Sequence, residues 1–576
     1  MKQLLASRLS WSILALMVGA IGTPSCTVEQ RNFGNTGGSG GSGGTGGAVN
    51  VGGGGEGGAA VVCTPDAQQA CYTGPMETLE VGLCKSGKQV CLPSGDGFGE
   101  CGGEVLPQPE NCLTPEDEAC NGDSPGECPA LSDGWIKTFG SAGFAQNIFD
   151  VAVTPAGEIV AVGTFADTID FGVGPMASTG LGDIFVAKFD AFGNALWSKR
   201  YGDASSQAAL AVTVDSNGGI YVGGTMSGSV DFDGTLLTSA GSDDAFLARF
   251  EADGKFSWAQ RFGDTAKQAI RRLAVTTTNI VIAAGEFAGT VAFDAAPANM
   301  HTAMGGNDIF IARFDASGFV SGSRAFGGTA TETVRGLALN AVDEIYMTGG
   351  FEDAVNFGGT TLTSTGVRDA YVVQLKTTLS VLNTLQLGNP NGPTSFQEGY
   401  DVAVNDAGGV VITGGFISGI DIDGTFLSNP QATSRSLYIA VYGPQLMGAA
   451  AAKMFGGIDG NVVEGRLALD RVAKQVVLAG YFTGTVDFGV LKTAAIGASD
   501  PYLAKFDTNG NVVAARTFPN NSKLPDDTNT MTALSLLQNG DLIVGGTLRA
   551  PIISGSMEFG QVEQKFGDAW LARILH

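Results

Sequence analysis

Four arginines, two aspartates and a tyrosine occupy one place in a pattern that recurs along this chain. Short apolar runs are anchored on Val151, Leu210, Leu273, Leu337, Val402, Leu467 and Leu534. The residue before each anchor is Asp150, Ala209, Arg272, Gly336, Asp401, Arg466 or Ala533, and the residue before that includes Arg271, Arg335 and Tyr400. A column that only packed would not need small residues in some copies and full charges in others. If these side chains converge at one mouth of a channel, they form a site for an acidic or polar ligand such as an anionic sugar. The alternative is Arg–Asp pairing between neighbouring copies, with no ligand.

Catalytic chemistry is harder to find. His301 and His576 are the only histidines, which leaves no His-based triad and no multi-histidine metal site. No serine sits in a G-x-S-x-G elbow between a strand and a helix, and sialidase-type Asp boxes are missing. Aspartates recur instead at Asp170, Asp231, Asp421 and Asp487, and again at Asp183, Asp244, Asp308, Asp369, Asp500 and Asp568. Such residues suggest a carboxylate pair. A residue present in almost every copy reads better as a turn or strand cap that accepts backbone N–H groups.

The elements that must position these residues follow from the repeat. A motif centred on Asp-Phe-Gly returns at Phe171, Phe232, Phe293, Phe357, Ile422, Phe488 and Phe559. Periods of this size mean a solenoid, a propeller or an array. Each unit reads as four strands: in the first, around Val151–Val153, Ile159–Phe165, Asp183–Phe189 and Ala195–Tyr201, bounded by Gly, Pro, Asn and Asp. Four strands in seven copies predict an all-β, seven-bladed propeller over residues 134–576. The first element, Trp135–Gly140, matches an outer strand with no inner strands before it. The last, Asp568–His576, is a third strand with no fourth after it. Trp135–Phe139 is therefore expected to pair with Ala569–Ile574, close the ring and remove an exposed edge.

The units D-I-F-V-A-K-F-D and A-L-W-S-K-R-Y-G, with V-G-G and D-F-G between them, resemble the seven-bladed beta-propeller (SBBP) repeat family of bacterial envelope and secreted proteins. The resemblance covers roughly residues 134–576 and implies a scaffold, with no shared activity to carry over.

The N-terminus reads as export. Lys2 and Arg8 precede an apolar stretch, Trp11 to Ile21, too short to span a membrane, so residues 1–25 read as a signal peptide. Cys26, in T-P-S-C, resembles a bacterial lipoprotein cleavage site in part, and leaves lipid attachment or ordinary cleavage and release open. Residues 26–62 form a Gly/Ser-rich flexible tether. Residues 63–130 carry Cys63, Cys71, Cys84, Cys91, Cys101, Cys112, Cys120 and Cys128, and no cysteine follows. An even count in an exported segment poor in apolar residues reads as a disulfide-rich module of unassigned connectivity. Glu110 to Asp123 looks like the acidic cysteine motifs of metal-binding secreted proteins of myxobacterial type. Glu116, Asp117, Glu118, Asn121 and Asp123 would suit calcium, or form solvated loops between disulfides.

The formal charge of −25 makes nucleic acid a poor partner. The expected protein is exported, either as an outer-membrane or cell-surface lipoprotein or as an extracellular protein, and touches membrane only through a lipid anchor. It would act as a non-catalytic platform for protein or polysaccharide, without a cofactor unless calcium binds. An envelope carbohydrate lyase or hydrolase acting at the channel, and a structural matrix protein, are the alternatives. Oligomeric state is not legible.

Overall fold

The structure is a computed structural model that describes residues 63–107 and 131–576, apart from short breaks at 141–144, 430, 432–433, 458, 472, 521–526, 555–556 and 560–566. The signal-peptide reading, Cys26, the tether, the calcium residues Glu116, Asp117, Glu118, Asn121 and Asp123, and Cys112, Cys120 and Cys128 all lie outside the described residues.

Seven antiparallel blades of four strands follow one another along residues 133–574, and the outer strands of the third and fifth also pair with a small hairpin of the next blade. Blade 1 comprises Gln146–Val153, Ile159–Phe165, Asp183–Phe189 and Ala195–Tyr201, paired in that order. Blades 2 to 6 repeat the pattern over residues 207–262, 268–328, 332–387, 396–457 and 462–517. Blade 7 takes Thr530–Leu536, Leu542–Leu548 and Asp568–Ile574 from the end of the chain, and its outer strand is Asp133–Phe139. That strand pairs antiparallel with Asp568–Ile574, Trp135 opposite Arg573 and Phe139 opposite Ala569, as the sequence predicts. The inner strands of consecutive blades pack side by side, and Thr530–Leu536 packs on Gln146–Val153, so the ring is closed.

Burial explains why the strands read differently. In blade 1 the third strand, D-I-F-V-A-K-F, is buried throughout, and the second, I-V-A-V-G-T-F, is buried except at Thr164. Each is covered by neighbouring blades on both faces, so it shows a continuous apolar run and no alternation. The outer strand A-L-W-S-K-R-Y is mostly half-buried.

The two aromatic motifs turn out to be one interlock. The aromatic closing an outer strand packs on the Asp-Phe-Gly phenylalanine of the next blade. Phe139 meets Phe171 at 4.9 Å, Tyr201 meets Phe232 at 4.8 Å, Phe262 meets Phe293 at 5.1 Å and Phe326 meets Phe357 at 5.3 Å. Those phenylalanines lie on or beside small hairpins between the second and third strands, such as Ser229–Phe232 with Thr235–Thr238.

The recurring aspartates act as caps. Asp170 and Asp231 accept the N–H groups of Gly172 and Gly234, each at 2.7 Å. Asp183, Asp244, Asp308, Asp369 and Asp500 each accept the N–H of the residue four before them, at 2.8–3.2 Å. The glycine after each outer-strand aromatic leaves room for this carboxylate: a Cβ on Gly202 would lie 2.6 Å from Asp183.

The described residues fall into two compact units, one ending at Ala67 and including Val90–Gly99, the other comprising Gln68–Gln89 with Glu100–His576, which contains the propeller. In the first, Cys63 is bonded to Cys91; in the second, Cys71 is bonded to Cys101. Cys84 is disulfide-bonded as well.

Candidate functional site

Every inner strand carries a β-bulge at the same point. Pairing jumps between Ile148 and Asp150, Ala209 and Ala211, Ile270 and Arg272, Val334 and Gly336, Gly399 and Asp401, and Met531 and Ala533. In blade 6 it jumps between Val463 and Arg466. A bulge leaves the extra residue unpaired and re-aims its side chain. Arg271, Arg335 and Tyr400 are bulge residues, while Asp150, Arg272, Asp401 and Arg466 resume the pairing. Blade 2 corrects the sequence alignment: Leu210 is the bulged residue, so Val212, opposite Val222, is the counterpart of Val151, and Ala211 takes the place assigned to Ala209. In the run A-A-L-A-V, small residues flank the leucine on both sides, and hydrophobicity does not mark which residue is extra.

Arg272, Arg335, Tyr400 and Arg466 come together around a cavity of about 250 Å³, lined also by Glu398, Arg435, Val463, Gly465 and Tyr481. Glu398 and Val463 lie near where inner strands begin, Tyr481 where a second strand ends and Arg435 just before a third strand begins, which defines the entry face of the ring; Arg272, Arg335, Tyr400 and Arg466 stand midway along their inner strands. Arg271 does not join them. It turns to Glu286 at 3.0 Å, whose other oxygen accepts the Val334 N–H at 3.3 Å.

The cations are held differently. Arg466 bridges three blades, donating from Nε to the Thr532 carbonyl at 2.7 Å and from Nη2 to the Phe149 carbonyl at 3.4 Å. Arg335 pairs with Glu398 at 3.3 Å, as does Arg368 at 3.5 Å. Arg435 donates to the Tyr400 hydroxyl at 3.1 Å and stacks 4.7 Å from the Phe396 ring. Arg272 donates to the Arg271 carbonyl at 2.8 Å, and its buried Nε has no partner. Burial pushes Arg272 down to about 9, and the neighbouring Arg466 charge adds to the shift. Burial also lifts the Tyr400 phenol to about 12.

Asp150 and Asp401 sit in the channel wall. Neither has an oxygen within 4.0 Å of an arginine nitrogen. Each instead straps its blade to the next: Asp150 accepts the Val212 N–H at 3.0 Å, and Asp401 accepts the Leu467 N–H at 2.9 Å. Burial holds both carboxyls above the usual range, opposed by the Arg466 and Arg272 charges. Gly336 is glycine for this reason, since its Cβ would lie 2.7 Å from Asp401.

Glu398, Arg435 and Tyr481 escaped the sequence reading although the same signal was present. Tyr481 takes the second-strand place held elsewhere by Thr164, Thr225, Glu286, Gly350, Gly415 and Thr547, and Glu398 is the residue opposite Gly415. These columns also depart between copies. Among the described residues no group of three or more His, Cys, Asp or Glu could hold a metal ion, and no helix is long and apolar enough to cross a membrane. Among the described residues, four guanidiniums and one carboxylate line the cavity, a set that can hold an anion, with tyrosine rings as walls.

No protein-family model matches the chain. The regulatory protein FlaEY of Caulobacter vibrioides is 31% identical over 109 residues, 18% of this chain and 11% of that protein. An uncharacterized WD repeat-containing protein, L264, of Acanthamoeba polyphaga mimivirus is 21% identical over 482 residues, 70% of this chain and 34% of that protein. The chain thus matches about a tenth and a third of the lengths of these relatives. Among solved structures, the β-propeller domain of the Trilobed protease from Pyrococcus furiosus is 10% identical with a TM-score of 0.37, over 74% of this chain and 98% of that one. The polysaccharide lyase Uly1 is 8% identical with a TM-score of 0.38, over 78% and 93%.

Proposed function

We propose that this protein is an exported, non-catalytic β-propeller that binds an acidic polysaccharide through the arginine cavity at the entry face of its channel. The observation that carries the reading is Arg272, a guanidinium with a partnerless buried Nε, no described carboxylate within ion-pair distance and three further arginines around the same cavity. Buried cations are normally paired, and an incoming carboxylate or sulfate would supply the missing partner with bidentate geometry. A volume of about 250 Å³ suits one sugar unit of a polymer rather than a folded partner. The disulfides Cys63–Cys91 and Cys71–Cys101 are consistent with an oxidising, exported setting.

The test is a titration of uronate-bearing, sulfated and neutral polysaccharides into the protein, with acidic peptides alongside. Saturable binding confined to the acidic glycans, with a steep salt dependence, supports the reading. Arg272→Ala is expected to weaken binding at least tenfold with a smaller fall in melting temperature than Arg466→Ala, because it removes one backbone hydrogen bond and a charge that opposes Asp150 and Asp401. Arg466→Ala is expected to lower both, since it also cuts the bonds to blades 7 and 1. Preference for acidic peptides, or equal loss of stability and binding in Arg272→Ala, would sink it. Appearance of shortened products during the titration would instead mark a lyase or hydrolase.

A further inference from the structure

The bulge residues continue round the ring past the arginines. The extra residue of the inner strand is Phe149 in blade 1, Leu210 in blade 2, Arg335 in blade 4 and Tyr400 in blade 5. Arg335 and Tyr400 both line the arginine cavity, so a side chain at this place faces the lumen unless something turns it away, as Glu286 turns Arg271. Phe149 and Leu210 hold the same place in blades 1 and 2, whose inner strands pack side by side. Both are large and apolar, yet neither enters a core. The cores take the residues around them, Ile148 and Val151 in blade 1 and Ala209 and Val212 in blade 2, and leave these two out. Both stay partly exposed.

This apolar arc is bounded by cations on both sides. The blade 3 inner strand, which carries Arg272, packs against that of blade 2. From the other side Arg466 reaches the Phe149 carbonyl at 3.4 Å. The charges of Arg466 and Arg272 both act on Asp150, the residue after Phe149. The lumen at this level therefore brings guanidiniums and an apolar wall within reach of one small ligand. Apolar surface left at a wet lumen costs free energy that a ligand with an apolar face recovers by covering it.

We propose that Phe149 and Leu210 form the apolar wall of the sugar site, and that the bound unit is a hexuronate whose C–H face packs on them while its carboxylate meets the arginines. This rests on the reading of the cavity as an acidic-polysaccharide site and names the sugar it takes. A pyranose ring carries a face of C–H groups beside its hydroxyls, and an apolar wall with a few convergent polar groups fixes the orientation of such a ring. An acidic peptide holds its carboxylate on a flexible chain with no such face. A hexuronate bears the carboxylate on a ring carbon, and the planar group suits a guanidinium fork. A sulfate ester sets its charge one atom further out, which moves the ring off the wall.

The experiment titrates trigalacturonate, galactotriose sulfated at O6 and acetate into the full chain, followed by calorimetry and NMR. Trigalacturonate is expected to bind the wild type at least tenfold more tightly than the sulfated trisaccharide, with protons of one sugar face shifted upfield by the Phe149 ring. Phe149→Ala and Leu210→Ala are each expected to lower the ratio of trigalacturonate to acetate affinity at least fivefold. Phe149→Trp is expected to restore that ratio, and Arg272→Ala to weaken both anions together. An unchanged ratio in both alanine variants, or equal affinity for the sulfated trisaccharide, overturns the hexuronate wall, and the arginine reading stands if Arg272→Ala still weakens binding. No saturable binding of either acidic trisaccharide overturns both. Should Phe149→Ala fail to fold, Leu210→Ala and the upfield shift in the wild type decide it, and absence of that shift counts against the wall.

Discussion

The Asp401 carboxylate of blade 5 accepts the backbone N–H of Leu467 in blade 6 at 2.9 Å, so an acidic residue of the channel column acts as a strap between blades. Its second oxygen accepts the Val402 N–H at 2.9 Å. Asp401→Ala orphans a part-buried donor and is expected to cost about 1–3 kcal/mol in urea unfolding. Asp401→Asn keeps an acceptor oxygen and should recover most of that. Equal losses in the two variants would show that the charge, not the acceptor, holds the blades.

Blade 3 ends in a carboxyl that lacks the arginine partner its counterparts in blades 1 and 2 have. Asp183 and Asp244 pair with Arg200 and Arg261, but Asp308 finds Ala325 at the equivalent place. Glu332, where other blades have Gln146, Gln207, Gln268 or Gln397, lies beside it. Burial lifts Glu332 from 4.5 to about 8, with the Asp308 charge adding to it, and burial lifts Asp308 to about 6. A folded value above the unfolded one means the native state holds the proton more tightly. Stability is therefore full below the unfolded value and declines as pH rises through that window. Glu332→Gln is expected to raise the melting temperature at pH 8.5, leave it unchanged at pH 4 and flatten the slope between. An unaltered profile would refute the assignment.

Ring closure rests on Asp133–Phe139, in which Ile136 is buried against the last blade's core. Ile136→Ala is expected to cost about 2–5 kcal/mol. Removing residues 131–139 bares the Asp568–Ile574 edge, which should drive self-association by strand pairing. Light scattering that finds the truncated protein monomeric and equally stable would contradict this.

Cysteines stop at Cys128. Reducing agent should open Cys63–Cys91 and Cys71–Cys101 and leave the propeller's thermal transition in place. Peptide mapping of the oxidised protein should recover both pairs, and any other partner for these four cysteines would overturn the pairing.

The fold was legible because its cause is local. Seven copies of Asp-Phe-Gly and of the outer-strand aromatic mark turns and strand ends, and the orphan strand at Trp135 with its missing partner at Asp568 implied closure. The interlock of Phe139 with Phe171 follows once the ring is drawn. The charged column at Arg272, Asp401 and Arg466 was visible as a departure between copies, but its geometry was not. Which residue bulges depends on how each inner strand twists against its neighbours, so Leu210 was misaligned by two residues. Arg271 points to Glu286 rather than into the cavity because the second strand of blade 3 carries a carboxylate where the others have threonine, glycine or tyrosine. Glu398 reaches the cavity from the inner strand that carries Tyr400, Arg435 from just before the third strand of blade 5, and Tyr481 from the second strand of blade 6. Aspartates expected either to meet ligand or to pair with arginines accept backbone N–H groups from the adjacent blade. Repetition along the chain determined which strands form and in what order. Packing between blades, set by side chains far apart in sequence, decided what each charge touches.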